Sequence, residues 1–225
     1  MDHVIIRNAY AAYWVAAIAV SAVLAIVAST RGWRSGVYVF KPLTTLLILG
    51  LVLTGPSNVH PSYRPLVAAG LAFSLAGDVL LMLPRDRFVA GLPAFLVAHL
   101  LYIRAFTLSG VLTTWWMVLP LAAYGAVLLR ILLPRVPGGL KAPVVVYALV
   151  LLSMACTAVG HDFGGVPAAA LAMLGGVLFV VSDSALAIDR FVRQFRGADA
   201  VVLGTYYAAQ TLIAFSVGVL GYHVH

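Results

Sequence analysis

Glutamate is absent from the chain, so side-chain carboxylate chemistry can draw only on seven aspartates. Two of them, Asp78 and Asp183, fall inside long apolar runs, as do Lys41, His99 and Arg104. A charged group at the centre of a membrane helix costs roughly 2.5–3.5 kcal/mol on insertion scales, so each of these asks for a compensating role. Lysine and arginine can snorkel to an interface on their long stems, whereas an aspartate cannot. A pair of buried carboxyls suits proton transfer. In low-dielectric surroundings, and beside a second carboxylate, a carboxylic acid retains a proton that it can then deliver. The plainer reading of the pair is an interhelical ion pair or hydrogen bond. A lone buried histidine is more often a satisfied core residue, so His99 by itself signals nothing.

Other chemistries lack their parts. The chain has no GxSxG elbow, no HExxH pair, no GxGxxG loop and no GxxxxGK run, so serine or zinc hydrolysis, dinucleotide binding and phosphate cradling lose their usual signatures. No metal or organic cofactor is implied. The net charge of +7 could suggest nucleic acid, but the arginines are scattered between apolar segments, without a concentrated basic face. The single cysteine, Cys156, excludes an intrachain disulfide and reads as a small core residue.

The elements that must position these groups are membrane helices. The composition is 63% hydrophobic and 9% charged, against roughly 25% charged for a soluble domain. Dividing the length by the ~20 residues a span needs leaves room for about eight. Apolar runs bounded by Arg, Pro and Gly predict helices near 9–30, 36–54, 65–83, 88–108, 112–133, 142–159, 167–188 and 201–221, within a single transmembrane domain covering 1–225. An eight-helix count puts Arg31, Arg34, Arg85, Arg87, Arg130, Arg135, Lys141, Arg190, Arg193 and Arg196 on one side, with only Arg7 and Arg64 on the other. The positive-inside rule then places both termini outside the cytoplasm. The Ala- and Val-rich composition suggests a bacterial inner membrane.

Those directions give depth. Lys41, Asp78, Asp183, Tyr206, Tyr207 and Gln210 share a layer roughly 7–14 Å below the basic surface at a rise of about 1.5 Å per residue. His99 and Tyr102 lie somewhat deeper. Tyr206 and Tyr207 point about 100° apart, so at most one should face the pocket squarely, while Gln210 shares the face of Tyr206. Asp86, Asp189, His223 and His225 read as solvated groups without a role. A weak duplication also runs through the chain. Gly77-Asp78 precedes Asp86-Arg87-Phe88 as Ser182-Asp183 precedes Asp189-Arg190-Phe191, and Lys41-Pro42 matches Lys141-Ala142-Pro143. It predicts a parallel four-plus-four repeat about an axis along the membrane normal.

Lys41-Pro42-Leu43, Phe73-Ser74-Leu75-Ala76-Gly77-Asp78-Val79-Leu80-Leu81, Ala98-His99-Leu100-Leu101-Tyr102, Phe179-Val180-Val181-Ser182-Asp183 and Tyr206-Tyr207-Ala208-Ala209-Gln210 together resemble the YhhN-like family, which includes the lysoplasmalogenases. The similarity runs in order from about helix two to helix eight. It implies cleavage of the vinyl ether of a lysoplasmalogen, a lysophospholipid, into a fatty aldehyde and glycerophospho-ethanolamine or glycerophospho-choline. The family's paired intramembrane aspartates fall on Asp78 and Asp183, which are therefore expected to be catalytic. Vinyl ether hydrolysis needs a proton on the carbon remote from oxygen; water captures the resulting oxocarbenium ion, and the hemiacetal collapses. One aspartate would donate the proton and the other, ionised, would steady the cation and orient water. Sequence leaves open which does which. Lys41, with backbone amides freed where helix two starts or restarts at Pro42, is expected to hold the phosphate. Tyr206 or Tyr207 with Gln210 would bind a glycerol hydroxyl or the water. His99 would orient an aspartate, and Tyr102 completes the expected substrate-binding set. Two competing readings are a proton-coupled small-molecule or lipid transporter using the same aspartates, and a non-catalytic lipid-binding protein.

Overall fold

The computed structural model describes residues 2–55, 60–83, 88–108, 115–159 and 166–218, and the side chains of 2–9, 115–117 and 166–167 fall outside that description. Arg85, Asp86, Arg87, His223, His225 and the side chain of Arg7 lie outside the described residues. Among the described residues eight helices run α1 Asp2–Thr30, α2 Arg34–Thr54, α3 Tyr63–Met82, α4 Phe88–Phe106, α5 Trp115–Leu132, α6 Gly138–Val159, α7 Val166–Phe191 and α8 Ala198–Phe215. Among the described residues, α1, α2, α3, α4, α6 and α7 each contain a stretch long and apolar enough to cross a bilayer, and α5 holds a shorter apolar stretch, Val118–Leu132. The 18-residue α8 is diluted by Asp199, Thr205, Tyr206, Tyr207 and Gln210. Its last three polar side chains are buried, so they face protein and not lipid.

The bundle is apolar outside and partly polar inside. Val20, Val23, Leu53, Val127, Val146 and Leu149 are exposed, while Thr44, Thr45, Ser74, Asp78, His99, Ser182 and Gln210 are buried beside Ile48, Leu71, Tyr102 and Phe179. With lipid as the outer solvent, packing and interhelical hydrogen bonds replace the hydrophobic effect as the means of association. Close approach between helices depends on small residues. A Cβ at Gly70 would run into the Tyr102 ring, and one at Gly175 would sit 2.7 Å from Ile213, so α3–α4 and α7–α8 interlock at these glycines.

Packing follows the duplication. The two most extensive helix pairs are α3 with α4 and α7 with α8; α2 lies on α3 as α6 lies on α7, and α8 crosses to α2 as α4 crosses to α6. The outermost helices differ, since α1 packs on both α2 and α8 while α5 packs on α6 and α7.

Several expectations are revised. Helix two does not start at Pro42: α2 begins at Arg34 and continues through the proline, so there is no helix N-terminus with free amides at Lys41. A proline removes one hydrogen bond from a helix without ending it when packing holds the rest. Cys156 is only half-buried and lies at the edge of the core. α8 starts earlier than predicted because Gly197, at φ 82°, turns the chain directly into it. Arg104 is exposed, as a snorkelling side chain should be. Arg64, on the arginine-poor side, donates through Nε to the Val52 carbonyl at 2.7 Å and also to Leu53, closing the end of α2. Arg135 does the same for α5 through the Ile131 carbonyl at 2.7 Å. These arginines satisfy carbonyls that a helix end leaves open.

Candidate active site

Asp78 sits one turn from the end of α3 and is almost wholly buried. Its Oδ1 lies 3.6 Å from the Lys41 ammonium, while Oδ2 accepts hydrogen bonds from Thr45 at 2.7 Å and Tyr206 at 2.8 Å. Two partners come from α2 and one from α8. Three donors, one of them cationic, form a cage suited to a carboxylate anion. Asp183 on α7 is caged differently. Its Oδ2 accepts from Tyr147 of α6 at 2.6 Å, and Nε2 of His99 from α4 stands 4.0 Å away, too far for a hydrogen bond. Among the described residues Asp183 has no lysine or arginine partner, and Tyr147 is its only hydrogen-bond donor.

Both aspartates line one cavity of about 90 Å³, with Lys41, Tyr147, Ser182, Ser184 and Tyr206 at its polar end. The rest of the wall is hydrocarbon, including Leu92 and Phe95 of α4, Leu128 and Leu132 of α5, Val144 and Leu151 of α6, and Phe191 of α7. The Asp183 side chain is 12% exposed and that of Asp78 2%, so Asp183 is the more open of the two to an occupant. No group of three or more metal-ligating side chains gathers among the described residues.

The expected residues divide into a wall and a backing layer. Lys41, Asp78, Asp183 and Tyr206 are on the cavity wall, whereas His99, Tyr102, Tyr207 and Gln210 are not. Tyr102 instead donates to the Gln210 Oε1 at 2.7 Å, and Tyr207 donates to the Lys41 carbonyl at 3.4 Å. The adjacent tyrosines therefore diverge as the helical angle requires, one to Asp78 and the other to the α2 backbone. His99 packs edge-on against Phe179 at 4.7 Å and Tyr147 at 5.4 Å between centroids. Neither of its ring nitrogens has a hydrogen-bond partner among the described residues. Sequence reasoning missed Thr45 and Tyr147. The duplication carried the signal, because Thr45 follows Pro42 by three and Tyr147 follows Pro143 by four, close to the same helical face.

With this geometry in place, similarity to known proteins is decisive. The family model described as the YhhN family matches residues 36–217. The chain belongs to the YhhN family. The matched span takes in α2 to α8 and thus every residue of the cavity wall, while α1, outside it, contributes none. Among YhhN-family relatives, the uncharacterized membrane protein YhhN of Shigella flexneri is 36% identical over 202 residues, covering 89% of this chain and 96% of that protein. The lysoplasmalogenase TMEM86B of Homo sapiens is 34% identical over 177 residues, covering 78% of this chain and 73% of the relative. The lysoplasmalogenase TMEM86A of Bos taurus is 32% identical over 207 residues, covering 86% and 82%. No solved structure gives a significant match.

Proposed function

We propose that the chain is a lysoplasmalogenase-type hydrolase acting as one transmembrane domain in a bacterial inner membrane, with both termini outside the cytoplasm. It would cleave the vinyl ether of a 1-alkenyl glycerophospholipid with Asp183 as the proton donor and Asp78 as the carboxylate. The observation that carries this reading is the unequal pair on one cavity, where Asp78 is matched by the Lys41 ammonium and Asp183 by no cation among the described residues.

The steps close without a cofactor. Asp183 delivers its proton to the alkenyl carbon remote from oxygen, leaving an oxocarbenium ion beside two carboxylates. Water adds to the cationic carbon and gives its proton to Asp78, forming the hemiacetal. Asp78 then protonates the departing glycerol oxygen while Asp183 takes the hemiacetal hydroxyl proton, releasing aldehyde and restoring both groups. Tyr206 and Thr45 hold Asp78 through this cycle, and Tyr147 holds Asp183. Lys41 carries the counter-charge of Asp78 and is the wall's cation nearest an incoming phosphate. Tyr102, Tyr207, Gln210 and His99 act from behind the wall as positioning residues.

The deciding experiment incubates purified protein in detergent with a lysoplasmalogen and with its saturated ether analogue, following aldehyde release. Release from the vinyl ether alone is expected, reduced by about a thousandfold in Asp78→Asn and in Asp183→Asn, within the roughly 10²–10⁴-fold that general acid–base catalysis supplies. Full activity in either variant would sink the assignment. The pseudo-two-fold packing favours a second reading, a proton-coupled transporter whose halves rock about the aspartates. Flux through liposomes without aldehyde release would select it.

A further inference from the structure

The two halves of the bundle differ at one seam. On one side α1 closes onto α8, and Ser29 Oγ donates to Asp199 Oδ2 at 2.8 Å across that contact. Along the equivalent seam, between α5 and α4, no Cα atoms come within 8 Å of each other among the described residues. Both helices still face the cavity there, with Leu92 and Phe95 from α4 and Leu128 and Leu132 from α5. Next in sequence to the wall residues Phe88, Leu128 and Leu132, Val89, Val127 and Ile131 are exposed and give the outer surface of both helices a hydrocarbon character. The open seam is thus apolar from the cavity to the lipid.

Size gives the seam a use. A cavity of about 90 Å³ is well below the roughly 300–1,000 Å³ that enclose a drug-sized ligand. It has room for the reacting part of a lipid and none for a whole chain, which must leave through the wall. A polar exit would cost the chain its hydrocarbon surroundings, at about 0.8 kcal/mol per methylene.

We propose that the gap between α4 and α5 is a lateral portal through which the hydrocarbon chain of a single-chain lipid enters from the membrane and in which it lies during reaction. This rests on the hydrolase reading above and adds how its substrate arrives and what part of it is selected. Leu92, Leu128 and Leu132 are the residues that meet the chain.

A bifunctional maleimide across Val89→Cys and Ile131→Cys, neither of them on the cavity wall, in a Cys156→Ala background, closes the seam. Two probes are compared, a long-chain lysoplasmalogen and a short water-soluble alkyl vinyl ether. Crosslinking should lower turnover of the long-chain lipid by about tenfold or more and leave the short ether within about twofold, a substrate-specific loss that a damaged acid pair cannot produce. Unchanged long-chain turnover, or equal loss of both, would overturn the portal. If untreated protein cleaves neither probe, the hydrolase reading fails, and binding alone decides the portal. Leu128→Trp should then gain fluorescence that a lysophospholipid brominated along its chain quenches more strongly than it quenches the parent protein. Equal quenching in both would overturn it.

Discussion

Asp78 and Asp183 occupy equivalent places in the duplicated bundle, yet they are held by different chemistry. The scaffold is shared: α2 and α8 enclose Asp78 as α6 and α4 enclose Asp183. What differs is the cation. Lys41 reaches Asp78 at 3.6 Å, while its counterpart Lys141 is exposed at the start of α6 and leaves the role of partner to Tyr147 further along that helix. Duplication thus supplies two carboxyls in one low-dielectric layer, and the placement of a single ammonium makes them unequal. That inequality fixes in advance which carboxyl is favoured as the anion, where two identical groups would share a proton between them.

The largest departure from equivalence should follow from removing that ammonium. Lys41→Met leaves the carboxylate of Asp78 buried without its counter-charge, and breaking a buried pair from one side costs about 3–5 kcal/mol. Thermal unfolding in detergent should register the loss. Adding Asp78→Asn should recover much of it, since the double variant buries no unpaired charge. A double variant no more stable than Lys41→Met would mean that the pair carries no such charge, and the distinction between the two sites would fall.

The tyrosines test the same difference at smaller scale. A hydrogen bond to an ionised acceptor contributes about 1.5–3 kcal/mol and one between neutral groups about 0.5–1.5 kcal/mol. Tyr206→Phe removes a donor from Asp78, and Tyr147→Phe removes one from Asp183. With Asp78 ionised and Asp183 protonated, Tyr206→Phe should cost more stability by about 1 kcal/mol. The reverse order, read from paired denaturation curves, would exchange the acid and the base.

How far the sequence foretold this arrangement depends on which physical signal each feature left. Hydropathy, together with Arg and Gly punctuation, located the eight helices of the described residues, six of which hold the continuous apolar run that a crossing needs. The aspartates were legible as expensive exceptions within such runs. Their cages were not, because Thr45 and Tyr147 are ordinary in membrane helices and gain meaning only when α2 and α6 are rotated onto α3 and α7. Tyr102 and Gln210 were legible as polar, but nothing in their spacing tells that the Tyr102 hydroxyl donates to the Gln210 Oε1 behind the cavity wall. Pro42 suggested a start or restart inside α2 that is absent, since a helix packed on three neighbours tolerates a proline that an isolated one would not.

The smallest predicted effect bears on whether position in the repeat or contact in the fold decides a lysine's role. Lys41 and Lys141 stand in matching sequence contexts before Pro42 and Pro143, so repeat position alone would make them equally important. The structure separates them, with Lys41 on the cavity wall and Lys141 exposed. Lys141→Ala should therefore change stability by no more than about 0.5 kcal/mol, as surface substitutions usually do, and leave aldehyde release unaltered. A loss approaching that of Lys41→Met would place Lys141 near Asp183 in the working protein. The two carboxyls would then each have a cation, and the asymmetry behind the proposed division into acid and base would have to come from Tyr147 and His99 instead.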